Sequence, residues 1–497
     1  MYTKITLPTF IDERGQLTSM ELVENIPFEI ERIFFIKCKE GFDRGNHAHK
    51  NCYELLVPIS GLFTLELDDT QNKVSIECNS TQEAIIINPL VWLNITNTSK
   101  DCIILAVCSH PYTQEENIKT LQELAVAQQK PTTFCDLGNK NIQDQIHQKL
   151  INIVRNDDYV LGQPLKDFEA NFAKYNNVKY CVGVNNGSAA LLCAIKALKL
   201  SPDPKNTILI QSNAFIAAPL AISECGYKMR IVDIDENLCI DLNDLESKMD
   251  ETVKAVIVVH LYGNCCNMDK LMNVINKHSV ALIEDSAQAH GATFKGKKLG
   301  TFGHLGCFSF YPSKNLGGIG EGGCVITDDS ELCEFVRKYR NYGGLNKYEH
   351  DIKGLNYRLE NIQAAVLDVK LPYLDEWNLK RNIIAQIYTE NLKNISQISI
   401  PAPNPQGFHV YHLYVVLAED RDELQKYLLN HHIPVSIHYP LPFYKTQAYQ
   451  ELNNFETRAD LYSTQLLSLP MHPNLTIDEC NKNCLIIREF YENKTTK

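Results

Sequence analysis

The chain has 497 residues, of which 44% are hydrophobic, and a formal net charge of −12 at pH 7. This length suits two to four domains, and the hydrophobic fraction excludes a disordered protein. The acidic balance argues against nucleic acid as a partner, and no apolar run approaches the ~18 residues of a membrane helix, so we expect a cytoplasmic protein without membrane contact.

The 17 cysteines are scattered along the chain and form no C-x-x-C pair. Several of them, including Cys102, Cys193 and Cys307, lie within apolar runs. We therefore expect reduced, buried thiols that act as small hydrophobic side chains, and neither disulfides nor zinc ligands.

Residues 1–130 contain short β-rich runs that are separated by Asn, Asp, Gly and Pro. Many short strands at even spacing predict a sandwich or a barrel. The predicted strands are Arg32–Lys37, Tyr53–Ile59, Leu62–Leu67, Lys73–Cys78, Ala84–Ile87, Val91–Thr96 and Cys102–Val107.

A histidine pair lies inside this region. Gly41 is followed by His47, His49, Glu54 and Gly61, and this spacing resembles the first motif of the cupins. Because side chains alternate along a strand, His47 and His49 point to the same face, into the barrel. The resemblance implies an all-β cupin, a jelly-roll barrel, for the first domain.

Three roles for the histidine pair stay open. His47, His49 and Glu54 could bind a divalent metal, but cupins usually add a histidine from a second motif and residues 88–94 contain none, so we expect no metal. The segment R-G-x-H-A-H-K resembles the metal-free TDP-4-keto-6-deoxyhexose 3,4-ketoisomerases. This resemblance implies that His49 is the main acid and base and that His47 and Arg44 support it. The third role is a barrel that has lost activity and only binds or scaffolds.

Three positions depart from the pattern of these isomerases. Phe35 stands where the family usually has Tyr, Glu54 where it has Gln, and Leu93 where it has His. The missing tyrosine hydroxyl removes a possible proton relay or substrate contact. The histidine pair and its arginine remain, so we favour an active isomerase over an inert cupin.

The first domain is predicted to close with a helix over residues 115–129. The chain is expected to break at Lys130–Thr133, where Pro131 disfavours a preceding helix. The predicted domains are residues 1–130, a large domain at 134–380 and a small C-terminal α+β domain at 381–497.

Beyond this junction, predicted strands alternate with predicted helices, which favours a mostly parallel, doubly wound sheet. The first helices are Asn141–Arg155 and Lys166–Tyr175, with a turn at Leu161–Pro164 between them. The predicted strands are Tyr180–Val184, Thr207–Gln211, Met229–Asp233, Ala255–His260, Val280–Ile283, Cys307–Phe310 and Gly323–Thr327, and helices begin at Ser188, near Ile216 and at Met268. A helix at Glu376–Leu392 then leads to strands His409–Leu417 and Ile433–Ile437.

Two strand ends of this sheet carry an acid and a lysine. Asp285 follows the apolar run Val280–Ile283, and Lys314 lies in a Gly-rich turn after Cys307–Phe310. Enzymes that use pyridoxal phosphate (PLP) need a lysine that forms a Schiff base and a carboxylate that pairs with the protonated pyridine nitrogen. Either residue alone would indicate no more than a surface lysine or a strand-end cap.

The segments E-D-S-A-Q-A-H-G and G-C-F-S-F-Y-P-S-K-N-L-G-G resemble the DegT/DnrJ/EryC1/StrS sugar aminotransferases, which are PLP enzymes of fold type I. The resemblance extends from Phe134 to the C-terminus. It implies a homodimer with shared sites, and His290 could line the site or belong to the core. The implied cofactor contacts are Gly187, Ser188 and Ser309 at the phosphate, Phe215 on the ring face, Gln288 near the phenolic oxygen, and Asn356 reaching the phosphate of a second copy. The implied substrate contacts are Tyr311, His438 and Tyr439.

Together the two resemblances imply a bifunctional enzyme. It would isomerise TDP-4-keto-6-deoxyglucose to the 3-keto sugar and then transaminate C3 with glutamate as the expected donor, giving a TDP-3-amino-3,6-dideoxyhexose for a surface polysaccharide. Fusion of consecutive steps raises the effective concentration of an unstable intermediate. The alternatives are an aminotransferase with an inert cupin, acting at C4 or on another keto sugar, and a PLP-binding regulator without turnover.

Overall fold

The computed structural model describes residues 1–21, 26–70, 72–128, 140–200, 203 and 205–495. The chain divides into two compact units, Met1–Pro131 and Thr132–Lys497. Within the described residues, no helix has the length and apolar character needed to cross a membrane.

The first unit consists of two five-stranded antiparallel sheets. Its elements are β1 (Tyr2–Thr6), β2 (Thr9–Asp12), β3 (Gly15–Thr18), β4 (Arg32–Lys37), β5 (Arg44–His49), β6 (Glu54–Ser60), β7 (Phe63–Asp68), β8 (Lys73–Cys78), β9 (Glu83–Ile87), β10 (Trp92–Thr96), β11 (Ile103–Cys108), β12 (Asn117–Ile118) and α1 (Leu121–Gln128). One sheet has the order β1-β9-β6-β11-β4, the other has the order β12-β5-β10-β7-β8, and β2 pairs with β3.

Alternating side chains explain why these strands form two layers. In β7, Phe63, Leu65 and Leu67 are buried and the residues between them are more exposed. These side chains pack with Leu56 of β6 and Ile104 of β11 in one core. The predicted cupin-like β fold of the first domain is confirmed.

The helix predicted over residues 115–129 is wrong in its first half. Asn117 and Ile118 form the short strand β12, which pairs with His49 and Ala48 of β5. The helix begins only at Leu121, because the edge of β5 recruits the preceding residues as a partner strand. Position 129 and the predicted break at Lys130–Thr133 lie outside the described residues.

The second unit is an α/β structure with a smaller C-terminal part. Its helices are α2 (Lys140–Arg155), α3 (Gln163–Asn176), α4 (Gly187–Ala197), α5 (Ala217–Glu224), α6 (Leu242–Ser247), α7 (Met268–His278), α8 (Ser330–Tyr339), α9 (Asn361–Lys370), α10 (Leu374–Leu392), α11 (Arg421–Asn430), α12 (Arg458–Ser463) and α13 (Ile477–Thr495). Its strands are β13 (Tyr180–Val184), β14 (Thr207–Gln211), β15 (Lys228–Val232), β16 (Val253–Val259), β17 (Ala281–Asp285), β18 (Thr293–Phe294), β19 (Lys297–Lys298), β20 (Leu305–Ser309), β21 (Gly323–Thr327), β22 (Ile398–Ser399), β23 (Gly407–Phe408), β24 (Tyr414–Ala418) and β25 (Leu466–Leu469).

The large sheet has the order β13-β21-β20-β17-β16-β14-β15. Only β21 is antiparallel to its neighbours among these seven described strands. Strands such as β14 and β16 are buried almost throughout, as expected for a parallel sheet with both faces covered. The predicted mostly parallel sheet is confirmed.

Three local predictions in this unit need correction. Gln163 and Pro164 begin α3 and do not form part of a turn, because proline suits the first turn of a helix. The strand predicted at His409–Leu417 is limited to Tyr414–Ala418. The segment Ile433–Ile437 forms only a single bridge, at Ser436, since β25 occupies the place beside β24.

The cysteines of the described residues are free thiols, and all except Cys225 are buried. Burial raises the pKa of Cys307 well above its ordinary value and raises that of Cys193 to about 12. These two thiols stay protonated and act as small apolar side chains. Cys52 differs, because a hydrogen bond with Cys108 lowers its pKa to about 5.

Candidate active sites

Five strand ends of the second unit meet at one edge of the large sheet. β14, β16, β17 and β20 run parallel, and β13 shares their direction because β21 is antiparallel to both β13 and β20. Their carboxyl ends therefore bring Asp285, Ser309 and the start of α4 at Gly187 to the same edge, together with the turn that carries Lys314. This is the edge at which open α/β sheets bind ligands.

Asp285 and Lys314 interact electrostatically at this edge. Asp285 is buried and accepts a hydrogen bond from the backbone N–H of Ala287 at 3.1 Å. Burial raises the pKa of Asp285, against the opposing effects of that hydrogen bond and of the charge on Lys314. Burial also lowers the pKa of Lys314 to about 8, although the charge of Asp285 opposes this shift. Lys314 is therefore a poised nucleophile near neutral pH.

We expect the capture of PLP by Lys314 to titrate with a midpoint near pH 8. Because the pKa is lowered, the reactive free amine is present above this value and is lost as the pH falls through it. At pH 7 about one tenth of the amine is free, far more than for an ordinary lysine. The measurement is the initial rate of PLP attachment to cofactor-free protein as a function of pH.

Asp285→Asn provides the matched variant for this titration. It removes the charge that raises the pKa of Lys314, so the midpoint should move below that of the unchanged protein. A midpoint near the ordinary lysine value of 10.5 in the unchanged protein would contradict the burial argument.

The turn between β13 and α4 is built to hold an anion. The Asn186 side chain caps α4 by accepting a hydrogen bond from Ala189 N at 2.8 Å. Among the described residues, the N–H groups of Gly187 and Ser188 have no hydrogen-bond acceptor. A Cβ on Gly187 would lie 2.7 Å from Cβ of Ser309, so only glycine permits this approach of helix and strand. Free N–H groups at a helix N-terminus suit a phosphate.

Aromatic and amide side chains form a wall beside this edge. The ring centroids of Phe215 and Tyr439 are 5.1 Å apart, with an interplanar angle of 34°. Gln288 Nε2 donates to the hydroxyl oxygen of Tyr439 at 3.2 Å, and Gln288 Oε1 accepts from Tyr262 N at 2.7 Å. The Tyr262 hydroxyl donates to the carbonyl oxygen of His438. Four sequence-predicted residues therefore lie together in this wall.

Tyr262 is a member of the wall that the sequence did not single out. Its φ is +60°, in the left-handed region that a tyrosine rarely adopts. Such a conformation costs on the order of 1–3 kcal/mol and tends to persist at functional sites. The sequence feature that could have identified Tyr262 is its position just beyond the carboxyl end of β16.

A buried polar network anchors the residue next to Lys314 and also escaped prediction. Asn315 Nδ2 donates to Asn378 Oδ1 at 2.8 Å and to the carbonyl oxygen of Val410 at 3.0 Å. Because both amide hydrogens are used, Asn315 Oδ1 accepts from Nδ1 of His412 at 3.1 Å. The network connects the lysine turn to α10 and to the segment before β24.

Two histidines near Lys314 are neutral. Burial lowers the pKa of His290 to about 3 and that of His438 to about 4, and the positive charge of Lys314 lowers both further. His290 lies against Phe308 and Phe310, with ring centroids 5.3 and 5.7 Å apart. His438 Nδ1 lies 2.9 Å from Oγ of Ser468. Neither histidine carries a charge that would compete with Lys314 for an anionic group.

Two further predicted residues lie at the surface of this unit. Tyr311 is half-exposed just after β20. Asn356 is exposed, and its Oδ1 accepts from Arg358 Nε at 2.8 Å. The segment that contains Asn356 and Arg358 runs along the edge of β13 in its own chain, where Val184 pairs with Arg358. A contact between Asn356 and a second copy stays a prediction.

The donor set at this sheet edge fits PLP. The unpaired N–H groups at the start of α4 suit its phosphate, and the buried carboxylate of Asp285 suits its ring nitrogen. Lys314 supplies an amine of lowered pKa for covalent attachment. The half-exposed ring of Phe215 is available to cover one face of the cofactor.

The first unit has a separate cavity of about 1040 Å³ between its sheets. It is lined by His47, His49, Glu54 and Arg44, among other residues. Nε2 of His47 lies 3.2 Å from Nε2 of His49, which in turn lies 3.5 Å from Oε2 of Glu54. The structure thus brings the predicted histidine pair together with Glu54.

Burial and Glu54 act in opposite directions on His49. Burial lowers the pKa of His49, but the hydrogen bond and negative charge of Glu54 outweigh this effect, so that the net pKa is raised. The positive charge of Arg32 is a smaller, opposing influence. His49 therefore binds a proton more readily than an ordinary histidine, and its imidazole can both accept and donate a proton, as a general acid and base requires.

The donor atoms of His47, His49 and Glu54 lie within 4.8 Å of one another, so their geometry leaves metal binding open. Leu93, which stands where the isomerases have a histidine, is buried and pairs with His47 across the sheet. It offers no fourth ligand. The expectation of a metal-free site stays a prediction.

The predicted supporting residue Arg44 is exposed at the mouth of this cavity. Phe35 is also exposed there. In contrast, Arg32 is partly buried and was missed, although the alternation of β4 places it on the same side as Phe34 and Ile36. The residues of this strand were therefore sufficient to identify Arg32.

Both units match the models of known families. Residues 140–488 match the model of the DegT/DnrJ/EryC1/StrS aminotransferase family, and residues 1–129 match the FdtA family, which is described as WxcM-like, C-terminal. The aminotransferases of the first family are PLP-dependent, as predicted from the lysine and acid motifs.

Two curated relatives match the second unit over nearly their full length. The chain is 40% identical over 354 residues to dTDP-3-amino-3,6-dideoxy-alpha-D-galactopyranose transaminase of Aneurinibacillus thermoaerophilus, covering 70% of this chain and 96% of the relative. It is 36% identical over 365 residues to dTDP-3-amino-3,4,6-trideoxy-alpha-D-glucose transaminase of Streptomyces venezuelae, covering 72% and 96%.

Solved structures agree with this assignment. The crystal structure of S. venezuelae DesV in complex with a ketimine intermediate superposes with a TM-score of 0.70 at 36% identity, covering 72% of this chain and 98% of that chain. A Bacillus subtilis NtdA structure with bound cofactor PMP superposes with a TM-score of 0.65 at 26% identity, covering 71% and 83%. Both confirm the fold of the second unit.

Proposed function

The chain belongs to the DegT/DnrJ/EryC1/StrS aminotransferase family and is a sugar aminotransferase, and from this premise we propose that it performs two consecutive reactions on one nucleotide sugar. The first unit isomerises TDP-4-keto-6-deoxyglucose to its 3-keto isomer, and the second transaminates C3. The observation that carries the proposal is that one chain combines a cavity holding His47, His49 and Glu54 with an aminotransferase whose named relatives act on 3-amino sugars.

In the second unit, bound PLP supplies the electron sink that lets an amino group move between carbon skeletons. Asp285 holds a proton at the ring nitrogen, because a buried carboxylate is stabilised by a cationic partner. Lys314 moves a proton to and from C3 of the sugar, for which its pKa of about 8 is suited. Glutamate is the proposed amino donor.

In the first unit, His49 acts as the acid and base. Its imidazole removes the proton from C3, the C3–H electron pair forms the C3=C4 double bond, and the carbonyl electrons of C4 move to O4. A proton then passes from O3 to O4. When the C3 carbonyl forms from the O3 electrons, C4 takes up a proton, so atoms and electrons balance and no oxidant is consumed.

We further propose that the second unit works as a homodimer. The second unit exposes about half of each of three apolar or aromatic side chains, those of Tyr311, Leu355 and Ile319. A second copy would cover them and would bring Asn356 to the phosphate of its neighbour. Asn356→Ala should therefore weaken PLP binding without changing the mass of the assembly in sedimentation, whereas a monomeric protein would contradict the proposal.

The test of the two-reaction proposal is an NMR product assay. We expect purified protein with PLP, glutamate and TDP-4-keto-6-deoxyglucose to give a new amine at C3. An amine at C4 would favour the alternative of an aminotransferase with an inert cupin. If no amine forms with this sugar but one forms with another keto sugar, the proposed substrate is wrong and the aminotransferase assignment holds.

A further inference from the structure

Arg32 is the first residue of β4 and lines the cupin cavity. Its guanidinium carbon is 4.7 Å from the ring centroid of Phe34 and 5.4 Å from that of Tyr112. Stacking on two aromatic rings fixes the plane of the guanidinium group and directs its N–H donors along that plane.

These donors lack a strong acceptor. Nη2 of Arg32 donates to Sγ of Cys108 at 3.4 Å, which is a weak contact. Nε is buried without a hydrogen-bond partner, and no carboxylate of the described residues lies within 4 Å of the group. Partial burial of a cation without a counter-ion carries a desolvation cost. The Arg32 guanidinium lies in a cavity that His49 also lines, and an anionic ligand bound there would offset its desolvation cost.

The chemistry of the proposed isomerisation produces such an anion. When the proton leaves C3, negative charge develops on O4. After a proton passes from O3 to O4 the charge lies on O3, and it is lost as the C3 carbonyl forms and C4 takes up a proton. An imidazole can move the protons but cannot by itself neutralise this oxygen. A fixed donor that stabilises the charge only as it develops lowers the barrier without tightening substrate binding.

We propose that Arg32 is a catalytic residue of the isomerase, whose N–H groups donate to O4 and O3 of the sugar as negative charge moves between them. This inference rests on the proposed isomerase function. It separates Arg32 from the exposed cations Arg44 and Lys39 at the cavity mouth, which suit the diphosphate of the substrate. Arg32 therefore acts on turnover, and the mouth cations act on binding.

The experiment uses the full-length chain in D₂O and TDP-4-keto-6-deoxyglucose without amino donor. NMR follows deuterium uptake at C3, which reports removal of the C3 proton, and formation of the 3-keto sugar. We expect Arg32→Ala to lower kcat for both by about 100-fold with little change in KM. The kcat of Arg32→Lys should lie between that of the unchanged protein and that of Arg32→Ala, because lysine restores the charge without the planar donor pair. Added guanidinium ion should restore part of the activity of Arg32→Ala.

The control is Lys73→Ala, which removes an exposed cation of β8 in the same unit and should leave the rate unchanged. Thermal unfolding of each variant reports whether the unit still folds. Retention of wild-type kcat in Arg32→Ala would overturn the inference. A rise in KM alone would also overturn it, because Arg32 would then only anchor the substrate, and failure of guanidinium rescue in a folded variant would assign Arg32 a packing role.

The wild-type protein distinguishes failure of the isomerase function from failure of the role of Arg32. If the unchanged protein neither exchanges the C3 proton nor forms the 3-keto sugar, the isomerase function itself is wrong and the role of Arg32 falls with it. If the unchanged protein turns over and Arg32→Ala equals it, only the role of Arg32 is wrong.

Discussion

Replacing Lys314 by alanine is expected to lower transamination by about 10⁴-fold, the upper range for loss of a positioned proton-transfer group. The loss is large because one amine both attaches the cofactor and moves the proton at the reacting carbon. Its lowered pKa of about 8 is what makes it able to do both near neutral pH. The measurement is the change in cofactor absorbance when glutamate is added, together with the yield of amino sugar.

Lys298→Ala is the matched control for this substitution. Lys298 is also partly buried, and burial also lowers its pKa, but it lies over the ring of Tyr175, outside the sheet edge that carries Lys314. We expect this variant to retain transamination. Lys314→Ala should still bind PLP through the phosphate turn, and a small alkylamine in the buffer should restore part of the proton transfer. Turnover by Lys314→Ala at the rate of Lys298→Ala would refute the assignment.

The residues that the sequence identified are those whose local context fixes their position. Asp285 and Lys314 each follow a short apolar run that had to be a buried strand, and parallel strands place their carboxyl ends at one edge. Gly187 was identifiable because a strand–turn–helix passage limits where it can lie. The resemblance to the first cupin motif located His47 and His49, and alternation along the strand gave their common face.

Two of the features that escaped prediction depend on tertiary contacts. Tyr262 belongs to the site because Gln288 and His438 hold its backbone and hydroxyl from other segments. Asn117 and Ile118 became a strand because β5 offered an open edge, against a local pattern that favoured helix. The position of Tyr262 just beyond β16 made it a candidate, but its contacts with Gln288 and His438 come from distant segments and could not be predicted from the neighbouring residues. The pairing of Asn117 and Ile118 with β5 is likewise a contact between segments distant in sequence.

Replacing His49 by asparagine is expected to lower isomerisation by about 10³-fold and to leave the glutamate half of transamination unchanged. Asparagine keeps the polar character of the buried position, which is 6% exposed, but cannot accept and return a proton. With glutamate, PLP and TDP-4-keto-6-deoxyglucose, the variant should therefore form little amine at C3. The position and yield of the amine are read by NMR, and cofactor absorbance gives the independent measure of the second unit.

The pH dependence of the same reaction checks the role of His49. Glu54 raises its pKa against the effect of burial, and the base must be neutral to remove the C3 proton. Isomerisation should therefore fall as the pH drops through a value above the ordinary histidine pKa of 6.5. Glu54→Gln removes the raising charge, so this limb should move to lower pH. His110→Asn, which changes a histidine bonded to Ser109 outside the cavity, is the matched control and should leave the profile in place.

A chelator separates this role from metal chemistry at the same residues. Because His47, His49 and Glu54 could together hold an ion, loss of His49 alone would also abolish a metal-dependent reaction. We expect full isomerase activity after treatment with a chelator, since Leu93 provides no further ligand beside His47. If the chelator removes activity and a divalent ion restores it, His49 is a ligand and the acid–base assignment is wrong. If His49→Asn retains isomerisation while a C3 amine still forms, the proton is carried by another group of the cavity.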